Sequence, residues 1–315
     1  MEKCEMIRFI FCYAAALVFC PLLAGIINKV KAFFAGRCGV SIFQLYFDIF
    51  KLLKKERVHS ATSNWILAIS PLAQLGFIMA ALALLPLGLN ISPLGFSGDA
   101  VLLFYFLGMA RFLTVLAALD TGSSFEGMGA SREVQFSALA EAAVFALLAL
   151  LAIHTGTLET GVMLQCAGIG ISAWHTAAVM VLAGLAFFVV LLCENCRVPF
   201  DDPETHLELT MIHEAMVLDY GGPDLAVIFY GAALKLWLFA SFLVALVLPE
   251  SCFAGMVGIC CYFGGVAVTA VLIGIIESIM ARSRFLKLPQ LLTGATVLVV
   301  LALIIQIFFN GGVIK

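Results

Sequence analysis

Eight apolar runs follow one another along the chain, at 6–27, 64–87, 100–119, 135–155, 173–193, 225–248, 254–277 and 290–310. Each approaches or exceeds the roughly 20 residues that a helix needs to cross the hydrocarbon core of a bilayer. A backbone in lipid must satisfy its own N–H and C=O groups, so runs of this length predict helices. The pattern therefore predicts an all-α integral membrane protein with about eight transmembrane helices. Residues 1–315 form one membrane domain, with no soluble domain and no internal repeat. The first run, Met6–Ile27, has the length of a secretion signal. It lacks a convincing small-residue cleavage site and leads into a basic amphipathic segment, so it reads as a retained helix.

Composition agrees with this pattern: 63% of residues are hydrophobic and 12% charged, and the mean hydropathy is +1.12. The net charge of -3 matters less than where the cations fall. Lys29, Lys31, Arg37, Lys51, Lys54, Lys55, Arg57, Arg132, Arg197, Arg282, Arg284 and Lys287 lie on one side of the spans, whereas Lys3, Arg8 and Lys315 lie on the other. The positive-inside rule makes the first face cytoplasmic and puts both termini outside, giving a multi-pass protein of the cell membrane. The cytoplasmic loops then fall at about 28–63, 120–134, 194–224 and 278–289.

Metal and nucleic-acid chemistry find little footing. Of the 10 cysteines, most sit in or beside apolar runs, where a thiol behaves as a small hydrophobe. Cys193 and Cys196 have CxxC spacing but no second pair, and His206 and His213 do not complete a recognisable zinc pattern. His213-Glu214 fails the HExxH pattern because Val217 stands at the second histidine position. No metal ligand set, phosphate-binding glycine loop or nucleic-acid patch is expected in this chain.

The polar chemistry is confined to three loops and a few intramembrane charges. In "SIFQLYFDIFKLLKKE", Gln44, Asp48, Lys51 and Lys55 form one polar stripe on a helix whose remaining surface carries Phe43, Leu45, Ile49, Leu52 and Leu53. An amphipathic surface helix is predicted there, after the first span, with lysines facing lipid phosphates or a docked partner. In "LDTGSSFEGMGASRE", Gly122, Gly127 and Gly129 permit tight turns. Asp120, Glu126, Arg132 and Glu133 give that loop paired charge, beyond what a tether needs. "ENCRVPFDDPETHLELTMIHE" holds six carboxylates, Glu194, Asp201, Asp202, Glu204, Glu208 and Glu214, with Asp219 just beyond. Asp201 or Asp202 can cap a helix that has Pro203 at its first position and Glu204 and Glu208 on one face. Its admixed Leu207, Leu209, Met211, Ile212 and Met216 indicate that this segment is covered.

Arg111, Glu141, Lys235 and Glu277 fall within or at the end of spans. A charge at a helix centre costs about 2.5–3.5 kcal/mol on insertion scales, so these residues are expected to face the bundle interior and pair. Carboxylates running from Glu194, Glu204 and Glu208 towards Glu141 form a candidate proton path.

Several of these motifs resemble a known family. "FQLYFDIFKLLKKE" looks like the QxxxDxxKLxxxKE signature of the respiratory complex I subunit NuoH. "ALDTGSSFEGMGASREV" and "ENCRVPFDDPETHLELTMIHEAMVLDYGG" look more like its counterpart in membrane-bound group 4 [NiFe] hydrogenases of the formate hydrogenlyase, hydrogenase-4 and Ech type. The resemblance spans nearly the whole chain and implies a non-catalytic anchor and coupling subunit of an oxidoreductase complex. It implies that Gln44, Asp48, Lys51, Lys55, Asp120, Glu126, Arg132, Glu133, Arg197, Asp201, Asp202, Asp219, Arg282 and Arg284 seat a cytoplasmic arm of hydrogenase large and small subunits and Fe–S subunits. Glu141, Glu194, Glu204, Glu208, Glu214, Arg111, Lys235 and Glu277 would form the ion path, beside antiporter-like membrane subunits in the bilayer. The [NiFe] centre and Fe–S clusters would lie in the partner subunits. Gly39 is followed by Val40 where complex I has Gly-Pro, and Asp219-Tyr220 stands where Glu-Tyr is expected; both departures favour a hydrogenase over a quinone-reducing complex I. A standalone ion transporter and a passive anchor are the remaining alternatives.

Overall fold

The computed structural model describes residues 2–58, 63–88, 92–167, 174–201, 211–249, 255–280 and 287–311. Among them the secondary structure is helical: α1 (Glu2–Phe34), α2 (Gln44–Leu53), α3 (Trp65–Ala83), α4 (Asp99–Asp120), α5 (Ser124–Thr155), α6 (Thr160–Ala167), α7 (Trp174–Glu194), α8 (His213–Met216), α9 (Gly222–Val247), α10 (Gly255–Ile279) and α11 (Leu288–Gly311). Eight of these are long and apolar enough to cross a membrane, and they match the eight apolar runs one for one. The protein is a multi-pass membrane protein, with α2 as the amphipathic helix after the first span.

Two boundaries differ from the sequence pattern, the first for a packing reason. Helix α5 begins at Ser124, so Gly127 and Gly129 lie inside a helix, and of the three glycines only Gly122 takes a positive φ, +70°. A Cβ on Gly129 would lie 2.9 Å from the Ile212 carbonyl and 2.9 Å from Ala215 Cβ, so this glycine lets α5 approach the α8 segment closely. The second difference is α2, which stops at Leu53, leaving Lys55 beyond the helix.

Helix α9 is the hub. It packs on α1, α2, α3, α7 and α10. Of its most apolar window 72% is buried, against no more than 50% for any other span. Inside it, Trp237 Nε1 donates to Tyr262 Oη at 2.9 Å, and Ser241 Oγ lies 2.7 Å from the same oxygen, tying α9 to α10. Helix α2 rests on α9 and α1 and leaves Phe47, Phe50 and Leu53 exposed, one apolar edge on a helix otherwise seated on the bundle.

Pro21 interrupts α1. A proline has no N–H, which leaves the carbonyl four residues earlier without its helical donor. That carbonyl belongs to Leu17, and Tyr230 Oη of α9 donates to it at 2.8 Å, beside a longer 3.5 Å contact from Cys20 Sγ. Tyr46 of α2 donates to the neighbouring Val18 carbonyl. A tyrosine from another helix thus satisfies the break. Replacing Tyr230 by Phe should cost about 1–3 kcal/mol, the penalty for a buried polar group that loses its partner. The loss would read as a lower thermal midpoint of the detergent-solubilised protein, towards the small end because the Cys20 thiol remains.

Candidate functional site

Arg111 lies near the middle of α4, and three carboxylates converge on its guanidinium. Nη1 lies 3.0 Å from Glu141 Oε1, Nε lies 3.5 Å from Glu133 Oε1, and Nη2 pairs with the Glu194 carboxylate. Glu133 and Glu141 share α5 two turns apart, a spacing that puts both on one face. Glu194 ends α7, and on its other side Lys235 Nζ of α9 lies 3.0 Å from Oε2. The Lys235 ammonium also sits 5.9 Å from the Phe239 ring centroid. Side-chain exposures of 10% for Arg111 and 5% for Glu194 show that the core of the cluster is desolvated, whereas Glu141 at 51% reaches the outer face of the bundle. Four helices therefore each contribute charge to one buried cluster.

A cavity of about 340 Å³ opens beside this cluster, between α1, α3, α4 and α9 and the segments flanking α8. Its polar lining includes Asn28, Gln74, Asn195, Cys196, Arg197, Asp201, His213 and Glu214 as well as Arg111, Glu133, Glu194 and Lys235. Burial holds the His213 imidazole below its ordinary pKa, against the upward pull of Glu133, with Lys235 lowering it and Asp201 raising it. Neutral His213 can both accept and donate a proton at the cavity wall. Burial, with Glu133 and Asp201 adding to it, pushes the Cys196 thiol well up and keeps it protonated and unreactive. Tyr220 is likewise pushed up to about 12, chiefly by burial.

The turn after α7 presents these groups. Arg197 N–H donates to the Leu192 carbonyl at 2.9 Å and Phe200 N–H to the Arg197 carbonyl at 2.8 Å. Cys196 has a φ of +50° and Val198–Pro199 is a cis peptide. Asp201 is buried, and its Oδ2 accepts the Ile212 N–H at 3.1 Å, which draws the two ends of the intervening segment together. Arg197 also points to a second ion group: Glu277, wholly buried, lies 3.6 Å from Arg197 Nη1 and 3.3 Å from Lys31 Nζ.

Of the residues singled out in the sequence, the structure brings together Arg111, Glu141, Glu194 and Lys235, with Glu214 on the cavity wall. Glu277 stands apart, with Arg197 and Lys31. Glu133, expected on the docking surface, lies in the Arg111 cluster. Glu126 is wholly buried and accepts the Asp219 N–H at 3.0 Å, which removes it from any outer surface, while the Asp219 residue itself is exposed. Arg132 Nη1 donates to the Met211 carbonyl at 3.0 Å, and Asp120 accepts the Asn64 backbone N–H at 2.7 Å and side-chain Nδ2 at 2.6 Å. Gln44 donates to Asp48 at 3.0 Å, whereas Lys51 and Lys55 are exposed. Asp202, Glu204, Glu208, Arg282 and Arg284 lie outside the described residues. The sequence pattern overlooked Asn28 and Gln74 and weighed His213 only as a metal ligand; polar residues beside apolar runs carry no periodic signal, and only the cavity joins these three. Among the described residues no set of three or more His, Cys, Asp and Glu side chains is placed to hold a metal ion.

Comparison with known proteins follows the same lines. The profile of the family described as NADH dehydrogenase matches residues 7–309. Hydrogenase-4 component C of Escherichia coli (strain K12) is 33% identical over 293 residues, covering 90% of this chain and 91% of the relative. Formate hydrogenlyase subunit 4 of the same strain is 29% identical over 281 residues, covering 86% and 89%. The fold is similar to a chain of the membrane-bound sulfane sulfur reductase, an archaeal respiratory membrane complex, with a TM-score of 0.81 at 20% identity over 96% of this chain and 99% of that one.

Proposed function

This chain belongs to the NADH dehydrogenase family, and from that premise we propose that it is the membrane anchor and coupling subunit of an energy-converting [NiFe] hydrogenase. Its similarity to hydrogenase-4 component C and formate hydrogenlyase subunit 4 supports the hydrogenase branch. On this reading the cytoplasmic face seats an arm of large, small and Fe–S subunits that carries the [NiFe] centre and clusters. Antiporter-like subunits flank it in the membrane, and both termini lie outside. The chain itself performs no redox step.

One observation carries the coupling role. The five groups in mutual ion contact are three carboxylates, Glu133, Glu141 and Glu194, and two cations, Arg111 and Lys235. The cluster is one positive charge short in a desolvated setting, where unbalanced charge is costly. A transported H⁺ or Na⁺ would supply that charge in passing. Neutral His213 and Glu214 on the cavity wall lead towards the cytoplasmic side, and Glu141, half exposed at the other edge, leads out to a neighbouring subunit. The exposed Phe47, Phe50 and Leu53 edge of α2, beside Lys51, fits a bilayer surface adjoining the arm.

Neutralising Glu141 tests coupling against passive anchoring. Glu141 is half exposed, so Glu141→Gln should leave the assembled complex intact. It should slow coupled ion movement about 100-fold or more, the contribution typical of one positioned proton-transfer group. Hydrogen evolution and ion uptake would be measured together in inverted vesicles. Unchanged ion movement in this variant would make the chain a passive anchor. Nickel and Fe–S polypeptides co-purifying in mild detergent support the hydrogenase complex; flavin and Fe–S subunits without nickel would assign the chain to a quinone-reducing complex I.

A further inference from the structure

Twelve residues before Arg111 on α4, about 18 Å away at 1.5 Å per residue, lies a second group of acids that the ion cluster does not use. Asp99 opens α4 and is wholly buried. Its Oδ1 accepts the Thr160 N–H at 2.6 Å and the Thr160 hydroxyl at 2.8 Å, capping α6 from a neighbouring helix. Its Oδ2 is buried with no hydrogen-bond partner, and so is the hydroxyl of Ser92, a residue 3% exposed. Backbone bonds from Gly98 and Ala100 to the Leu158 carbonyl, at 3.3 and 3.4 Å, pin the α5–α6 connection beside α4 and bring up Glu159.

Three oxygens converge on one glycine. A Cβ on Gly95 would lie 2.8 Å from Glu159 Oε1, 3.1 Å from the Ser92 carbonyl and 3.5 Å from Asp99 Oδ2. Gly95 is not among the glycines of positive φ, so its backbone does not require glycine; the side chain is missing because the space in front of it is taken. Two carboxylates and a carbonyl thus face one small volume. Asp99 and Glu159 make no ion pair with any described Lys or Arg. A buried carboxylate oxygen aimed at a second carboxylate with no counter-charge must be neutralised by something from solution.

We propose that this niche, on the face that the charge distribution places outside the cell, binds a hard metal cation, with calcium the best match to its charge. Carboxylate and carbonyl oxygens are the donors that such ions take, and water completes a shell that is seldom all protein. Glu159, half exposed, leaves the niche open to exchange. The bound ion would clamp the α3–α4 connection, α4 and the start of α6 to one another.

The binding readout is independent of the coupling role. The purified complex is stripped with EGTA and titrated with Ca²⁺ and separately with Na⁺, reading radioisotope binding and thermal midpoint. One saturable ion per chain that raises the midpoint is the expected result. Glu159→Gln, which leaves the Asp99–Thr160 cap intact, should weaken binding at least as much as the roughly 10–100-fold lost when an outer-shell partner of a metal is removed. Gly95→Ala, which fills the niche without changing charge, should weaken it comparably, while hydrogen evolution stays unchanged in both. Saturable Na⁺ binding with the same two losses also supports the site, with a monovalent occupant. Affinity unaltered by either variant, or no saturable binding of either ion, would overturn it. A midpoint that follows pH alone and is the same in EGTA as in Ca²⁺ would overturn it too, since the two carboxylates would then be sharing a proton.

Discussion

Replacing Arg111 by Leu should be the most damaging single change to the membrane domain. The guanidinium is 10% exposed and touches three carboxylates from two helices. Without it Glu194, 5% exposed, keeps only Lys235, and Glu133, 14% exposed, keeps no cation from this cluster. Stripping one partner from a buried ion pair costs about 3–5 kcal/mol, because the remaining charge is stranded. The residual Lys235 contact and the outward reach of Glu141 place the expected loss near 3 kcal/mol. It would be measured as the shift in thermal midpoint and as the folded yield after size-exclusion chromatography in detergent. Arg111→Leu combined with Glu194→Gln removes one stranded charge and should recover a large part of the loss. Equal damage in the single and double variants would show that packing, not charge, holds this region together. Arg111→Lys should fall between, since an ammonium cannot reach three carboxylates at once as a planar fork does.

Replacing Gly25 by Ala should be nearly as costly, through shape alone. Gly25 sits inside α1, where Ala would ordinarily favour the helix. Here an added Cβ would fall on the Ile42 carbonyl, with the Ile42 Cα and C atoms 2.8 Å away. These are backbone atoms just ahead of α2, so relief requires moving that connection and the surface helix with it. Overpacking of this kind costs about 1–3 kcal/mol, equivalent to roughly ten- to hundredfold in a docking equilibrium. On the proposed function the visible result is a membrane domain that still folds but recovers far less of its cytoplasmic arm on purification. Gly264→Ala in α10 is the matched control, because nothing lies within 4 Å of its added Cβ. An arm recovered equally from both variants would separate the α2 seat from arm docking.

These two residues show how differently the sequence speaks about charge and about shape. Arg111 is conspicuous because a cation inside an apolar run has no cheap explanation. Gly25 is invisible, one small residue among many in a span, until the Ile42 carbonyl is seen against it. Glu133 and Glu126 show the limit for charges. Both lie in a glycine- and serine-rich stretch that reads as a loop, yet the stretch is helical. Its Gly129 serves close packing against α8, and the two acids turn inward.

By itself the sequence determined the membrane class, the number of spans and their order. Length and hydropathy are local quantities, and lipid allows one solution, a helix with its own backbone satisfied. The sequence could not decide which buried charges meet. Arg111, Glu133, Glu141, Glu194 and Lys235 lie on four helices, and their contacts depend on helix rotation and packing that no run of residues encodes locally. The cavity with His213, the Tyr230 bond that satisfies the Pro21 break and the oxygens around Gly95 belong to the tertiary structure for the same reason. Each is a meeting of segments far apart in the chain, held where burial leaves a polar atom no partner but one brought by another helix.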